Sequence, residues 1–287
     1  MSNILEVQGL NKKYESFSVK DVSFEIPTGY IMGFIGPNGA GKTTTIKSIL
    51  NMVSYQSGEV KLFGLDSKDN VSQIYEQIGV VMDTPFYADD WTSADVEAAV
   101  SPFYTHWDSG KFAGLLSQFS IDKKKKVKEL SRGMKVKLMI AVALSHDARL
   151  LILDEPTSGL DPVARDELCE MLGDFVTDEN RSVLFSTHIT ADLEKIADYI
   201  TFILDGRIVF TGSKDSFLES YVLVKGGLEE ISAQQKKLVI GLREHVTGFE
   251  GMAETGNLGR LPKSLLVEPI TLDEIIIYMN KGDKLYE

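Results

Sequence analysis

Residues 30–51 read YIMGFIGPNGAGKTTTIKSILN. The first six, Tyr30 to Ile35, are a short, nearly continuous apolar run of the kind a buried strand uses. Gly36-Pro37-Asn38-Gly39-Ala40-Gly41-Lys42-Thr43 follows, and a helical pattern then runs from near Gly41 to Asn51 with Ile46, Ile49 and Leu50 on one face. Strand, glycine turn and helix in that order complete the pattern G-x-x-x-x-G-K-[ST] in the context it requires. Glycines let the backbone curl until successive N–H groups point at phosphate oxygens. The start of the helix adds its positive dipole end. Lys42 brings a mobile cation to the β- and γ-phosphates, and the Thr43 hydroxyl is placed for Mg²⁺. Residues 36–43, together with Thr44, are therefore the expected nucleotide-binding loop.

Outside this loop the pattern is α/β. Upstream, Val22, Phe24 and Ile26 alternate as a half-buried strand does, with Leu5 and Val7 as its partner. Downstream, Val60–Phe63 and Val80–Met82 read as strands. From Trp91 to Ile121 the apolar period becomes helical, through Val96, Val100, Phe112, Leu115, Leu116 and Phe119. A second α/β stretch follows: strand Leu150–Leu153, helix Pro162–Phe175, strand Val183–Phe185, helix Ala191–Ala197, and strands around Phe202 and Val209. Strands alternating with helices imply a mainly parallel sheet covered on both faces. Residues 86–145 or so are then a helical insertion. After about Ser220 the texture changes to strand-like pieces (Leu238–Leu242, Leu265–Val267) and one amphipathic helix (Leu272–Met279), joined by glycine-rich loops. The expected division is 1–220 for the nucleotide-binding domain and 221–287 for a small α+β module. In that module Glu229, Glu230, Asp273 and Glu274 read as solvated helix-end charges rather than metal ligands.

Composition narrows the function. Of 287 residues, 43% are apolar and 25% charged, the balance of an ordinary globular chain. Net charge is −12, which argues against duplex nucleic acid as the main ligand. The run Lys123 to Lys126 reads as a solvated turn. No apolar run approaches the roughly 20 residues of a spanning helix, the N-terminus MSNILEVQGL lacks a secretory pattern, and the single cysteine, Cys169, excludes an intrachain disulfide. These features point to the cytosol.

A phosphate loop alone suits kinases, GTPases and ATPases. The apolar run Leu150 to Leu153 ends in Asp154-Glu155, and that narrows the choice. Asp154, at the carboxyl end of its strand, can hold Mg²⁺ through its hydration shell. Glu155, one residue on, can reach the attacking water as general base.

At this point the chain resembles the ATP-binding subunits of ABC transporters over roughly residues 3–215. The resemblance rests on the phosphate loop, Leu130-Ser131-Arg132-Gly133-Met134, Leu153-Asp154-Glu155-Pro156, Ser158-Gly159-Leu160-Asp161 and Ser186-Thr187-His188, in family order and spacing. It implies a P-loop NTPase core: a mixed, mainly parallel sheet with antiparallel edge strands, an inserted helical subdomain, and the small C-terminal module. SRGMKVKL, ALSHDARLLILDEPTSGLDPVARDEL and PFYTHWD are similar to a branch of bacterial exporter ATPases that includes peptide and multidrug exporters. By position, the resemblance puts Tyr14 against adenine and His188 on the γ-phosphate and catalytic water. It makes Asp161 the link between two nucleotide sites. Ser131 and Gly133 become caps on the γ-phosphate of a second subunit, so complete sites need two copies or a paralogue. The membrane-spanning permease would be a separate polypeptide, with this chain peripheral on the cytoplasmic face. ATP and Mg²⁺ are the implied cofactors, and no nucleic acid is expected. Two positions depart from the family pattern. Asp83 stands where glutamine is usual and is read as a replacement that ligates Mg²⁺ and serves catalysis. Arg132-Gly133-Met134 stands for the common Gly-Gly-Gln. The alternatives are a soluble ATPase of the same superfamily acting on ribosomes or DNA, and a small-molecule kinase. The first usually carries two cassettes or a coiled coil, and the second leaves Ser131–Gly133 unexplained.

Overall fold

The computed structural model describes residues 2–282. The chain separates into two compact units, Met1–Val209 and Phe210–Glu287. In the first, strands β1 (Asn3–Lys13) and β2 (Ser18–Pro27) pair antiparallel, with Val7 opposite Phe24 and Leu10 opposite Val22. Then come β3 (Ile31–Ile35), helix α1 (Lys42–Ile49), β4 (Ser57–Leu62), β5 (Leu65–Asp66), α2 (Val71–Tyr75) and β6 (Ile78–Val81). Helices α3 (Ser93–Val100), α4 (Ser109–Gln118) and α5 (Arg132–Leu144) form the inserted segment. The unit continues with β7 (Leu150–Asp154), α6 (Pro162–Phe175), β8 (Ser182–Thr187), α7 (Thr190–Ile196) and β9 (Tyr199–Leu204), and ends within β10 (Arg207–Ser213), whose residues from Phe210 on belong to the second unit.

These strands make two sheets. One is antiparallel, in the order β2-β1-β4-β5; the other runs β10-β9-β3-β8-β7-β6. From β9 to β6 every neighbour pair is parallel. Every residue of β3, β7 and β8 is buried, as strands covered on both faces must be. β1 and β2 alternate because only one of their faces is covered. That covered face, the apolar side of α1 (Ile46, Ile49, Leu50) and one face of the parallel sheet (Met32, Phe34, Ile152, Leu184) share a single core. Phe24 stacks on Phe34 across it, ring centroids 5.4 Å apart. Most antiparallel strands thus form their own sheet. β10 lies at the edge of the parallel one, reached from β9 through Asp205-Gly206, both at positive φ.

The helical expectation for Trp91–Ile121 is interrupted: Ser101–Phe103, with Pro102, is a short 3-10 turn between α3 and α4. Helices α3 to α6 are each capped by a side chain, from Thr92, Asp108, Ser131 and Asp161. Helix α1 is not; the residue before it is Gly41, φ 113, which has no side chain to offer. The lysine run lies in a turn as read, and Lys126 Nζ sits 3.5 Å from Asp90. No helix of the described residues is long and apolar enough to cross a membrane.

In the second unit, α8 (Lys214–Glu219) precedes β11 (Tyr221–Gly226), α9 (Ala233–Lys236), β12 (Val239–His245), β13 (Gly248–Glu254), β14 (Leu266–Glu268) and α10 (Leu272–Gly282). The antiparallel order is β12-β13-β11-β14, over a core of Val224, Ile231, Val239, Phe249 and Ala253. β11 and β13 occupy stretches that read as loops. β13, GFEGMAE, lacks the β-branched residues that announce a strand, and pairing with neighbours on both sides supplies what its composition withholds. Glu230 and Glu274 are local caps, accepting from the Gly227 and Thr271 backbone N–H groups.

Candidate active site

The loop after β3 is shaped by close approach. A Cβ on Gly36 would lie 2.2 Å from the Ile203 carbonyl oxygen, so only glycine fits there. Gly39 and Gly41 have φ of 82 and 113, the left-handed region that glycine enters without strain. With no side chain capping α1, its first N–H groups remain free to meet an anion. Lys42 is only 5% exposed. Its ammonium donates to the carbonyls of Gly36 (2.7 Å) and Pro37 (3.2 Å) and pairs with Glu155 Oε1 at 3.1 Å. Asn38, Gly39, Lys42, Thr43, Thr44 and Glu155 line a cavity of about 390 Å³ with Phe17. A larger cleft, about 590 Å³, lies by Val71, Tyr75 and Phe103. Its only charged lining residue is Glu76, which makes it a poor seat for a polyanion.

The carboxylates come from the end of β7. Asp154 is 1% exposed. The register of β7 on β8 sets it directly beside Ser186, whose hydroxyl donates to Asp154 Oδ1 at 2.7 Å. Burial pushes the Asp154 carboxyl above the usual carboxylate range, opposed by the Ser186 and Thr43 hydroxyls and by Lys42. Its Oδ2 is buried without a hydrogen-bond partner. A buried carboxylate oxygen lacking a donor, beside a threonine hydroxyl and a phosphate loop, suits a hydrated divalent cation. Glu155 holds φ 51, unusual for a residue with a side chain. Its backbone N–H is fixed by the Ser186 carbonyl and hydroxyl, each at 3.1 Å. Its Oε2 meets His188 Nδ1 at 2.7 Å and accepts from the His188 N–H at 3.3 Å.

Lys42, Glu155 and His188 are thus in direct contact, with Thr43 and Asp154 adjoining them. The remaining expected residues lie in other settings. Tyr14 is 41% exposed, with Lys12 Nζ 4.8 Å over its ring. It lines a neighbouring cleft that shares Phe17 with the phosphate-loop cavity. Ser131 caps α5 by accepting from the Met134 N–H at 3.2 Å. A Cβ on Gly133 would lie 3.2 Å from Leu160, which brings the Ser131–Gly133 element to the Ser158–Asp161 turn. Asp161 Oδ1 accepts from Val163 and Ala164 N–H, both at 3.0 Å, and the Ala164 bond leads in holding its carboxyl below the usual range. The carboxylate of Asp83 is engaged by Arg132. Two residues were not anticipated. Phe17 carried no signal beyond being aromatic near Tyr14. Ser186 was visible only as part of Ser186-Thr187-His188, because its contact with Asp154 depends on strand register.

A protein-family model described as "ABC transporter" matches residues 19–158. The bacitracin transport ATP-binding protein BcrA of Enterococcus faecalis is 32% identical over 212 residues, 73% of this chain and 69% of that protein. The lantibiotic transport ATP-binding protein SrtF of Streptococcus pyogenes is 34% identical over 215 residues, 74% of this chain and 92% of that one. Among solved structures, an ATP-binding subunit of an ABC transporter superposes with TM-score 0.65 at 29% identity, covering 74% of this chain and 91% of that chain. A dimeric ATP-binding cassette in a post-hydrolysis state with ADP and Pi shares the fold, with TM-score 0.65 at 21% identity, 73% and 98% covered.

Proposed function

The chain belongs to the ATP-binding subunits of ABC transporters, and on that premise we propose that two such subunits close over ATP to drive a separate membrane-spanning permease. It is an ATPase whose hydrolysis powers a membrane exporter. The observation that carries the mechanism is the Glu155 carboxylate held between the Lys42 ammonium and the His188 ring. Phosphate oxygens entering the loop compete with Glu155 Oε1 for Lys42, because a polyphosphate offers the ammonium more negative charge than one carboxylate. Glu155 released from that pair takes a proton from the attacking water, and His188, fixed against Oε2, orients the acid and meets the γ-phosphate. Thr43 and Asp154 would hold Mg²⁺, which would supply neutralisation of phosphate charge there. Ser131, Gly133 and Asp161 act toward the nucleotide of the second subunit.

The relatives named for bacitracin and lantibiotic transport support peptide-like cargo. Recognition of that cargo belongs to the permease, and the chain works peripherally at the cytoplasmic face through it. Purified protein with MgATP tests the chemistry. Glu155→Gln slows turnover by roughly 10²–10⁴-fold with ATP binding retained, and Lys42→Ala abolishes binding. Undiminished hydrolysis by Glu155→Gln refutes the assigned base. Affinity capture from membranes tests the assembly, where a multi-span protein should accompany the chain.

A further inference from the structure

The two departures from the family pattern, Asp83 and Arg132, meet in space. Arg132 opens α5 between Ser131 and Gly133, and its Nη2 donates to Asp83 Oδ1 and, at 3.3 Å, to Ser158 Oγ. Its aliphatic stem lies over Gly159, where a Cβ would sit 3.1 Å from Arg132 Cδ and where φ is 76. One guanidinium therefore joins the chain just past β6, the start of α5, and the turn between Glu155 and Asp161. Both side chains of the ion pair are half exposed, 52% for Arg132 and 51% for Asp83. An exposed pair of this kind contributes little to stability, so its worth to the molecule lies elsewhere. A guanidinium is also the side chain best matched to phosphate, which it can take by two parallel N–H bonds.

We infer that Arg132 is a phosphate ligand held in reserve. In a single copy it is parked on Asp83. When the Ser131–Gly133 element closes over ATP bound by a second copy, the guanidinium passes from Asp83 to the γ-phosphate. The inference rests on the reading that two copies close over ATP. It gives Asp83 a task different from metal binding: the carboxylate restrains a cation that only a γ-phosphate can draw away. ADP lacks that group and leaves the pair intact, so the exchange favours closure on ATP over closure on ADP. It also accounts for an acid and an arginine occurring together at two positions 49 residues apart.

The test uses the Glu155→Gln protein, in which ATP persists. Sedimentation measures the ATP concentration that half-dimerises it, and fluorescence titration at low protein concentration measures ATP binding to one copy. Arg132→Gln should raise the dimerising concentration tenfold or more while single-copy binding stays as it was. Asp83→Asn should lower it several-fold, and should have no effect once Arg132 is glutamine. Arg132→Lys should lie between, since a lysine offers charge without the planar fork. Arg132→Gln dimerising like its parent, or Asp83→Asn weakening the dimer, overturns the inference. A parent that binds ATP yet stays monomeric removes the two-copy reading and the inference with it. A parent that binds no ATP strikes at the phosphate loop itself.

Discussion

Ser186 and Ser182 lie on the same strand, both with no exposed surface, and removing their hydroxyls should have unequal consequences. Ser182 Oγ accepts from the Gly29 N–H at 2.9 Å and donates to the Pro27 carbonyl at 3.4 Å, so its partners are neutral. Ser186 Oγ donates to the buried Asp154 carboxylate at 2.7 Å, whose other oxygen has no donor. Its second bond, from the Glu155 N–H, is duplicated by the Ser186 carbonyl and adds little. A net hydrogen bond between neutral groups is worth about 1 kcal/mol, and one to a charged group about 1.5–3 kcal/mol. Ser182→Ala should therefore cost about 1 kcal/mol and Ser186→Ala about 2 kcal/mol, or roughly 4–8 °C in Tm for a unit of this size. Because Ser186 favours the ionised form of Asp154, its deficit is greatest above the folded-state pKa of that acid and shrinks as pH falls through it. Thermal unfolding of both variants without nucleotide, at neutral pH and in mild acid, reads this directly. Equal losses at neutral pH would refute the view that Asp154 is ionised and dependent on Ser186.

Gly36→Ala should fold but displace the loop, since its Cβ would meet the Ile203 carbonyl at 2.2 Å; a shift near 1 Å can cost roughly 10²-fold in turnover, checked by steady-state ATPase assay. Phe17→Ala should weaken ATP binding in a fluorescence titration, because the ring walls the phosphate-loop cavity. Loss of a stacking partner is worth about 1–3 kcal/mol per base, and an unchanged affinity would leave adenine to Tyr14. His146 is buried and stacked on Tyr104, centroids 3.9 Å apart, and burial pushes its pKa down to about 4. The unfolded chain takes up this proton first as pH falls, so stability is full above the ordinary histidine pKa and declines toward the depressed one. Between pH 7 and 5.5 that amounts to about 1 kcal/mol. Denaturant titrations of His146→Phe should lack this part of the slope.

Much of the fold was legible because the parallel strands are continuous apolar runs with helices between them. The helix read over Pro162–Phe175 has those bounds, and the strand read over Leu150–Leu153 runs one residue further, to Asp154. Sheet membership was not legible. Whether β1, β2 and β4 border the parallel sheet or make their own depends on which face each buries and against what, and alternation alone leaves that open. β11 and β13 were hidden for a related reason. Val222 and Val224 in β11, and Phe249 and Met252 in β13, gain strand character from one another through the pairing of Val224 with Gly251 and Leu223 with Met252.

The site divides in the same way. Each motif was readable alone because its residues are adjacent in the chain, and their meeting was not, since Lys42 and Glu155 are 113 positions apart (155 − 42). What brings them together is a backbone conformation that the sequence argues against. A left-handed φ is where glycine would be expected, and a glutamate held there costs of order 1–3 kcal/mol. The Ser186 bonds to the Glu155 N–H and the contact to His188, both supplied by the neighbouring strand β8 and its end, offset that cost together with the contact to Lys42 at the start of α1. Glycine at 155 would relieve the strain and leave Lys42 and His188 without their shared acid. The strain is thus the geometric condition for an acid to face the phosphate loop from the end of β7.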